Sequence, residues 1–454
     1  MKGLLGDEYE DWLASYEKPP VSGLRLNNLK VDNEHFVTLT GWAVRRVPWT
    51  DNGYYLEAGE HPAKDPLHHA GLYYLQEPSA MTPAVLLPVR PGSRVLDLCA
   101  APGGKSTELG ARLQGKGLLI SNDVSSSRAA ALLKNLERFG IANSCVTAEE
   151  PERLAAVFGE FFDSILVDAP CSGEGMFRRD PSLVSAWMER GPEYYAPLQR
   201  RILAGAAAML RPGGFLLYST CTFSVCENED NVRWLLQKFP DLTLVPLPLE
   251  TVPGAVRGAY DLPVLRLFPH RLEGEGHFIA LFQKKDRQTG AEEAYAGGSG
   301  VPDIPAQIIC ETGKFLQDSD FSAWERCLEK PFDHSRLMIK DERLYYLPDD
   351  FSTGWKLRYL RTGLLLGSCK NKRFEPSQAV AMALTVKGFS NVLCLRQEDE
   401  RVLRYLKGES IALEDGEVLS NGWILVCLEE FPLGWVKYAG GLLKNKYYPG
   451  WRWQ

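Results

Sequence analysis

The chain has 454 residues, of which 45 % are hydrophobic and 24 % are charged, so we expect two to four domains with ample core. No apolar run approaches the roughly 20 residues needed to span a bilayer, and the N-terminus turns acidic at once, so we expect a cytoplasmic protein without membrane contact. The ten cysteines show no CxxC spacing, which is typical of free thiols in a reducing compartment, and the net charge of -7 argues mildly against a nucleic-acid partner.

The first 90 residues mix helical and loop patterns, and we interpret residues 1–90 as an N-terminal extension domain. From Pro91 onward, apolar strand-like segments alternate with amphipathic helices. These segments are RVLDLCAA, GLLISND, FDSILVDAP, GGFLLYST and EGHFIALFQ. The alternation predicts a doubly wound, Rossmann-like α/β core with a parallel sheet over residues 91–285.

A stretch rich in glycine, alanine and polar residues follows the core and predicts a linker at 286–305. Beyond it, short strand-like pieces dominate, with one helix predicted at PSQAVAMAL. We therefore expect two small, mostly β accessory modules at residues 306–375 and 376–454.

A glycine-rich turn, CAAPGGKS, follows the first predicted core strand, where the backbone of an α/β protein approaches a ligand closely. It lacks GxGxxG, which disfavours a dinucleotide. Asp123 ends the second strand about 20 residues later, where nucleoside-binding proteins place an acid for the ribose hydroxyls. Asp97 is positioned to face a ligand's ammonium group. In the alternative reading, Gly103 and Gly104 only close a tight turn and Asp123 caps the next helix.

Two cysteines follow neighbouring strands of the predicted core, Cys171 in DAPCSGEGMF and Cys221 in YSTCTFS. The carboxyl ends of parallel strands line one crevice, so both thiols and Asp168 are expected to face the same pocket. A nucleophilic thiol there suits attack on an electron-poor carbon, such as C6 of a pyrimidine. The alternative is two small buried thiols that pack at strand ends. The serine, threonine and glycine neighbours of both cysteines are poor core material and favour the chemical reading.

The motifs CAAPGGK, DAPCSGEGMFR and YSTCTF, in this order, resemble the Sun-type family of RNA cytosine-5 methyltransferases, which binds S-adenosylmethionine. The bacterial RsmF-like branch, which modifies 16S ribosomal RNA, is the most similar. PPVSGLRLN and YYLQEPSAM extend the likeness before the core. NKRFEPS and the Trp-rich tail extend it more loosely, and the last module resembles a PUA-type RNA-binding domain.

The resemblance implies a set of site residues. The turn would wrap the methionine part of the cofactor, Asp123 would hold its ribose, and Asp168 would lie near both the cofactor and the target base. Glu149 and Glu150 are alternative candidates for the residue that approaches the adenine side of the cofactor, and the predicted set includes Glu150. The full cofactor set is Cys99, Ala100, Ala101, Pro102, Gly103, Gly104, Lys105, Asp123, Arg128, Glu150 and Asp168.

The resemblance also assigns chemical roles. Cys221 would be the nucleophile and Cys171 would assist release of the methylated RNA. Asp168, protonated or sharing a proton, would assist at N3 of the base, and Lys105 would lower the pKa of the nucleophilic thiol. A variant in which Cys171 is the nucleophile, as in DNA cytosine-5 enzymes, is disfavoured by the Ser-Thr-Cys sequence at Cys221.

Several basic residues are candidates for RNA contact, which the N-terminal domain is expected to share: Arg178, Arg179, Lys444, Lys446 and Arg452. The basic tail is interleaved with aromatic residues, which suits stacking on RNA but equally suits a small β-domain with an aromatic core. The expected partner is 16S rRNA or the small ribosomal subunit, bound by a monomer. Naked RNA and assembled subunit both stay open as substrates.

The sequence disfavours three alternative functions. A ribosome-assembly factor that acts by docking is disfavoured by the intact set of motifs. An exocyclic-amine methyltransferase is disfavoured because this chain has Asp-Ala-Pro-Cys where such enzymes carry an Asn/Asp-Pro-Pro-aromatic run. A metal enzyme is disfavoured because the seven histidines form no ligand spacing, so no metal is expected.

Overall fold

The computed structural model describes residues 1–57, 60–286 and 302–453. Within these ranges the chain forms one ten-stranded sheet and three four-stranded sheets. Most of the predicted linker at 286–305 lies outside the described residues. In the part of the chain that is described, no helix is both long and apolar enough to cross a bilayer.

The N-terminal region forms a small antiparallel sheet. Its elements are α1 (Lys2–Leu5), α2 (Tyr9–Ala14), β1 (Gly23–Leu26), α3 (Asn33–Thr40), β2 (Val44–Arg46), β3 (Gly53–Leu56), α4 (Pro66–His69) and β4 (Tyr73–Leu75). The strand order is β2-β3-β1-β4. The predicted mixture of helix and loop misses this sheet because its strands have only three or four residues, too few to show an alternating pattern.

The central region is the predicted α/β core. Its first elements are α5 (Pro78–Leu86), β5 (Arg94–Asp97), α6 (Gly104–Leu113), β6 (Leu118–Asn122), α7 (Ser126–Phe139), β7 (Ser144–Thr147), α8 (Pro151–Ala155) and β8 (Phe162–Asp168). The remainder are α9 (Ser182–Glu189), α10 (Pro192–Met209), β9 (Leu210–Thr220), α11 (Glu229–Lys238), β10 (Leu242–Val245), β11 (Val256–Arg257), β12 (Leu265–Leu267) and β13 (His277–Lys284).

The core sheet has the order β11-β12-β13-β9-β8-β5-β6-β7, and β5 to β9 are parallel. Strand β13 runs antiparallel to β9. The Rossmann-like fold class is thus confirmed. The winding reverses between β5 and β8, which is where ligands bind in open α/β sheets.

Both faces of the central strands are covered. Val95 and Leu119 belong to one buried cluster, whereas their chain neighbours Leu96 and Ile120 belong to another. Strands buried on both faces read as continuous apolar runs, which is why β5, β6, β8 and β9 are visible in the sequence. Strand β7 is not among the predicted segments because three of its four residues are small or polar.

The C-terminal region contains the two expected small β modules. Their elements are α12 (Ala306–Asp318), α13 (Phe321–Glu325), β14 (Leu337–Lys340), β15 (Arg343–Tyr346), β16 (Tyr359–Thr362), β17 (Leu364–Lys370), β18 (Arg373–Pro376), α14 (Gln378–Ala383), β19 (Val392–Leu395), α15 (Glu400–Lys407), β20 (Gly422–Leu428), β21 (Phe431–Ala439) and β22 (Leu442–Asn445). The two sheets are β14-β15-β17-β18 and β19-β20-β21-β22.

These modules are not detached from the rest of the chain. Strand β16 pairs antiparallel with β7, with Tyr359 opposite Thr147, and so extends the core sheet. At the other end, Tyr447 and Trp451 share a buried cluster with Leu24 and Phe36 of the N-terminal region. The terminal regions therefore pack against each other as well as against the core.

Candidate active site

The predicted glycine turn joins β5 to α6. Gly103 has a φ of 111°, a left-handed conformation that favours glycine. A Cβ atom at this position would lie 3.1 Å from Cδ1 of Leu132 in α7. Both the backbone conformation and the close approach of α7 therefore explain a glycine at this point.

A buried arginine of the N-terminal sheet supports this turn. Arg25 is fully buried, and its guanidinium donates to the carbonyl oxygen of Gly104, to Oε1 of Gln76 at 2.7 Å and to Oγ1 of Thr107 at 2.6 Å. Its Nε also lies 3.0 Å from Oε2 of Glu108. The N-terminal region thus fixes the first turn of α6.

Asp97 lies at the end of β5 with one oxygen free. Oδ2 accepts a hydrogen bond from Ser106 Oγ at 2.7 Å, whereas Oδ1 is buried without a hydrogen-bond partner. Burial raises the pKa of Asp97 to about 7. A buried carboxylate oxygen without a donor fits the ammonium group of an amino-acid-like ligand.

Asp123 follows β6 and is almost fully buried. Its Oδ1 accepts a hydrogen bond from the backbone N–H of Ser125, and its Oδ2 lies 3.2 Å from Nη2 of Arg128. The same Nη2 donates to the carbonyl oxygen of Ala101 in the glycine turn at 3.1 Å. Asp123 therefore supports the start of α7, as the structural alternative expects, and also lies beside the turn, as the cofactor-binding prediction requires.

The two candidates for the adenine side differ in their surroundings. Glu149 is buried, and its carboxylate accepts a hydrogen bond from the backbone N–H of Arg358 at 2.6 Å and lies 3.3 Å from the Nε of that residue. Glu150 is exposed at the start of α8. The choice of Glu150 stays a prediction, and the structure adds that Glu149 already has a partner from the C-terminal region.

The two predicted thiols meet. Sγ of Cys171 lies 3.3 Å from Sγ of Cys221. The hydrogen bond to Cys221, and then burial, raise the pKa of Cys171 well above its ordinary value. Gly175 donates its backbone N–H to the carbonyl oxygen of Cys221 at 2.8 Å, which ties the two loops together. Cys171 therefore keeps its proton at neutral pH.

Asp168, at the end of β8, is surrounded by donors. Lys105 Nζ is 2.7 Å from Oδ2, Ser219 Oγ donates to Oδ1 at 2.7 Å, and His277 Nε2 is 3.6 Å from Oδ1. Burial raises the pKa of Asp168, but Lys105 and His277 outweigh it and hold this pKa well below its usual range. Asp168 is therefore held as an anion, which does not suit a permanently protonated carboxyl, and the prediction that it assists at N3 by sharing a proton stays a prediction.

Two further carboxylates hold the cysteine loops. Glu227 accepts hydrogen bonds from the backbone N–H of Ser172 at 3.0 Å and from Nε2 of Gln199 at 2.8 Å. Glu174 accepts from the backbone N–H of Phe223 at 3.0 Å. Each carboxylate thus fixes the backbone next to one of the two cysteines.

The two adjacent arginines predicted to contact RNA have different environments. The Arg178 side chain is only 5 % exposed and pairs with Glu275 at 3.0 Å, while it also donates to the carbonyl oxygens of Gly274 and Ser15. All these groups are protein atoms, so the prediction that Arg178 contacts phosphate is corrected to a structural role. Arg179 is exposed, which is compatible with phosphate contact.

The C-terminal candidates are all near the surface. Lys444 and Arg452 are exposed, and Lys446 is partly buried with its Nζ 3.1 Å from Oε1 of Glu375. Three of the six aromatic residues at positions 435–453 form core, as the structural alternative expects: Trp435, Tyr447 and Trp451. Any RNA contact by this region would therefore be made by the exposed charges.

Sequence reasoning missed several residues that complete the site. Arg25 lies inside the quoted PPVSGLRLN stretch and Ser219 lies two residues before Cys221, so both carried a local signal. Glu227, in the turn between β9 and α11, and His277, at the start of β13, carried none, because only the folded chain brings them to the crevice. In the described ranges, no group of three or more His, Cys, Asp or Glu side chains is arranged to hold a metal ion.

Comparison with known proteins covers nearly the whole chain. The family described as 16S rRNA methyltransferase RsmB/F matches residues 84–283, and the N-terminal domain of 16S rRNA methyltransferase RsmF matches residues 1–78. The RsmF rRNA methyltransferase first C-terminal domain matches residues 315–384, and the methyltransferase RsmF PUA domain matches residues 392–453.

Individual relatives agree with these matches. The chain is 32 % identical to ribosomal RNA small subunit methyltransferase F of Escherichia fergusonii, over 97 % of this chain and 92 % of that protein. Its counterpart in Escherichia coli K12 is 31 % identical over the same shares of the two chains. A methyltransferase homologue from Pyrococcus horikoshii has a similar solved structure, with a TM-score of 0.54 and 31 % identity over 62 % of this chain and 92 % of that one. The chain belongs to the RsmF family of 16S rRNA methyltransferases, and its cofactor is S-adenosylmethionine, as the motifs predicted.

Proposed function

We propose that this methyltransferase forms 5-methylcytosine in 16S rRNA through a covalent bond between Cys221 and C6 of the target cytosine. The observation that carries the proposal is the contact between the Cys171 and Cys221 thiols, 3.3 Å apart, on the loops that follow β8 and β9. Two thiols at the crevice of a methyltransferase fold suit an enzyme that activates a carbon atom, because a nitrogen or oxygen acceptor needs no thiol adduct.

The residues of the glycine turn and of two strand ends would hold the cofactor. Asp97 offers its unpartnered Oδ1 to the ammonium group, Gly103 and Gly104 let the backbone approach the ligand, and Asp123 lies where ribose hydroxyls are bound in nucleoside-binding folds. When bound, S-adenosylmethionine supplies an electrophilic methyl group on a sulfonium.

The environment of the thiols favours Cys221 as the nucleophile. We assign the nucleophile to Cys221 because Cys171 keeps its proton and lies within hydrogen-bond distance, where it can donate to a thiolate on Cys221. Lys105 supports this assignment: burial lowers the pKa of Lys105, but the neighbouring Asp168 outweighs burial and raises it, and Cys221 contributes in the same direction. A charged ammonium near Cys221 stabilises a thiolate there.

The reaction uses these residues in order. Addition of the Cys221 thiolate to C6 makes C5 enamine-like and able to accept a methyl group. Asp168, as an anion, is suited to accept a hydrogen bond from the exocyclic amino group and so to orient the base. Removal of the C5 proton and elimination of the thiolate then restore the aromatic ring.

The same contact explains how Cys171 would assist release. Its pKa is raised chiefly by the hydrogen bond to Cys221 and by burial, with a further contribution from the charge on Cys221. Once Cys221 is bonded to C6 it carries no negative charge, so two of these causes weaken. Cys171 then releases its proton to solvent more readily, and the thiolate that results accepts the C5 proton, so Cys171 ends the cycle protonated again.

The substrate assignment rests on the family and on the surface. The curated relatives are named small subunit ribosomal RNA methyltransferases. A target base must leave any stack to reach the crevice, which costs a few kcal/mol, and phosphate contacts offset this cost. Exposed Arg179, Lys444 and Arg452 are suited to such contacts. Partnership with the small subunit and a cytoplasmic location remain predictions.

Replacement of each thiol tests the proposal. Cys221→Ala is expected to slow methyl transfer to 16S rRNA by at least about 10³-fold, since the nucleophile is lost. Cys171→Ala is expected to accumulate an enzyme–RNA adduct that survives denaturing electrophoresis. Cys310→Ala, at an exposed cysteine of α12, serves as the control and keeps the wild-type rate. Nucleoside analysis of the product then locates the methyl group.

Each contrary result has a defined meaning. A wild-type rate in Cys221→Ala refutes the nucleophile, and a missing adduct in Cys171→Ala refutes the release role. An adduct formed by Cys221→Ala transfers the nucleophilic role to Cys171. A product methylated at nitrogen or oxygen refutes the cytosine-5 assignment itself.

A further inference from the structure

A buried histidine lies next to the catalytic carboxylate without any visible structural task. His277 is the first residue of β13 and is only 3 % exposed. Neither ring nitrogen has a hydrogen-bond partner, and Nε2 lies 3.6 Å from Oδ1 of Asp168. Buried polar groups are normally hydrogen-bonded, because an unpaired one is costly. An imidazole held in this way is suited to exchange a proton with Asp168.

We propose that His277 is the proton source for N3 of the target cytosine and acts through Asp168. The inference rests on the function proposed above and adds a positioning residue to it. His277 itself is buried behind Asp168, so its proton reaches the base by way of that carboxylate.

The chemistry requires such a source. When the Cys221 thiolate bonds to C6, the electron pair of the C5–C6 double bond moves between C4 and C5, and the pair of the N3–C4 double bond moves onto N3. The nitrogen then takes up a proton. Asp168 is an anion, so it has none of its own to give. A general acid within reach of Asp168 is therefore needed.

Lys105 is the other cation on this carboxylate, but it is the poorer acid. Asp168 raises the pKa of Lys105 despite its burial, so the ammonium holds its proton more firmly than usual. Lysine ammonium groups in general release a proton several pH units above imidazolium groups. Lys105 therefore keeps a fixed positive charge in the crevice, and, of the described residues, His277 is the other nitrogen base that lies within 4 Å of the Asp168 carboxylate.

The charged groups on the neighbouring strands are already paired elsewhere. On β12, Arg266 is bound by Glu229. Glu275, two residues before His277, is bound by Arg178. On β9, Tyr218 donates to the carbonyl oxygen of Glu227. Among the residues that the structure describes, Asp168 is the carboxylate within 4.0 Å of the imidazole, and it carries Lys105 on its other oxygen.

The proton balance closes over one turnover. A proton first leaves Nε2 of His277 for Oδ1 of Asp168, and the neutral carboxyl group that results then gives this proton to N3 of the base. When the thiolate is eliminated and the N3–C4 double bond is restored, N3 gives this proton back to Asp168 and thence to His277. The C5 proton leaves separately, so the histidine ends the cycle in its starting state.

His277→Gln tests the inference, because glutamine retains hydrogen-bonding groups but cannot supply the proton. His270→Gln is the matched control, since His270 is also a buried imidazole but is bound to Glu8 instead of Asp168. Both variants are assayed in single turnovers on small subunits reconstituted with 16S transcript. We expect His277→Gln to be slower by about 10²-fold, with affinities for S-adenosylmethionine and RNA within about twofold of wild type, and His270→Gln to be unaffected.

A second substrate separates proton donation from packing. Transcript made with 5-azacytidine has a more electrophilic C6, so thiol addition depends less on an acid at N3. The difference between wild type and His277→Gln in the rate of adduct formation is expected to fall below about fivefold on this transcript. A structural role would slow both substrates alike.

The outcomes are distinguishable. A wild-type rate on cytidine, or an equal loss on both transcripts with intact cofactor binding, overturns the role of His277. If His277→Gln does not bind the cofactor, His277→Asn is measured in the same two assays and decides in the same way. Failure of the wild-type enzyme to form any adduct with the 5-azacytidine transcript instead overturns the proposed covalent mechanism.

Discussion

The catalytic edge of the core sheet and the C-terminal tail both contain several polar and charged residues, but these residues have opposite environments. At the edge, charged side chains such as Arg25, Asp97 and Lys105 are buried or nearly so, and each has a partner in the protein: Glu108, Ser106 and Asp168 respectively. In the tail, Lys444 and Arg452 are exposed, whereas Trp435, Tyr447 and Trp451 form core. Buried polar groups must have hydrogen-bond partners in a specific geometry, whereas exposed charges act mainly through the electrostatic potential at the surface.

The largest effect on stability is expected from replacing Arg25, which is fully buried. Arg25→Met leaves the carboxylate of Glu108 buried without its partner, so we expect the free energy of unfolding to fall by about 3 kcal/mol, with weaker cofactor binding because α6 loses its support. Urea unfolding followed by tryptophan fluorescence measures the change. Arg45→Met is the control, since Arg45 is 54 % exposed and its pair with Glu273 is worth at most about 1 kcal/mol. Equal losses in the two variants would remove the distinction.

Asp97 predicts an effect of pH on cofactor binding. Burial raises the pKa of this carboxyl to about 7, so the fraction that is ionised falls as the pH drops through that value. An ammonium group binds the ionised form, and we expect the affinity for S-adenosylmethionine to decrease about tenfold from pH 8 to pH 6. Calorimetric titration measures it. Asp97→Asn is expected to bind weakly at both pH values, and an unchanged wild-type affinity would contradict the role of Asp97.

The tail predicts the smallest effects. Lys444→Ala and Arg452→Ala are each expected to weaken binding of 16S rRNA about two- to fourfold and to lower the salt dependence by about one ion, without a change in the rate at saturating RNA. Filter binding over a salt series measures both quantities. Lys330→Ala, an exposed lysine outside the predicted contacts, is the control. Losses that do not depend on salt would indicate a defect of folding instead.

The fold of the core was predictable because its strands are buried on both faces and its helices carry caps such as Ser125 and Gly140. The strands of the C-terminal modules were harder to predict. The stretch KLRYLRTGLLLGSC reads as one strand-like piece, but Gly363, with a φ of 66°, turns the chain within it. Residues before the turn join the core sheet as β16, and residues after it form β17. A single glycine thus decides which sheet each half joins.

The candidate site was predictable where residues are close in the chain or fall in quoted motifs. Cys171, Cys221, Asp168 and Lys105 come together in the structure because strand ends of a parallel sheet meet at one edge. His277 was not predictable, because it belongs to an antiparallel strand whose place beside β9 is a property of the whole sheet. Arg178 is the opposite case. Its charge predicted contact with RNA, but in the structure its side chain is buried and pairs with Glu275.

The pairing of β16 with β7 determines where a piece of chain that contains the complete core sheet must end. A protein cut at the end of β13 would leave β7 as an open edge, and Glu149 would lose the partner that Arg358 provides. Open edges invite strand exchange between copies. The shortest piece of chain that closes this side of the sheet therefore extends through Thr362, well into what the sequence presents as an accessory module.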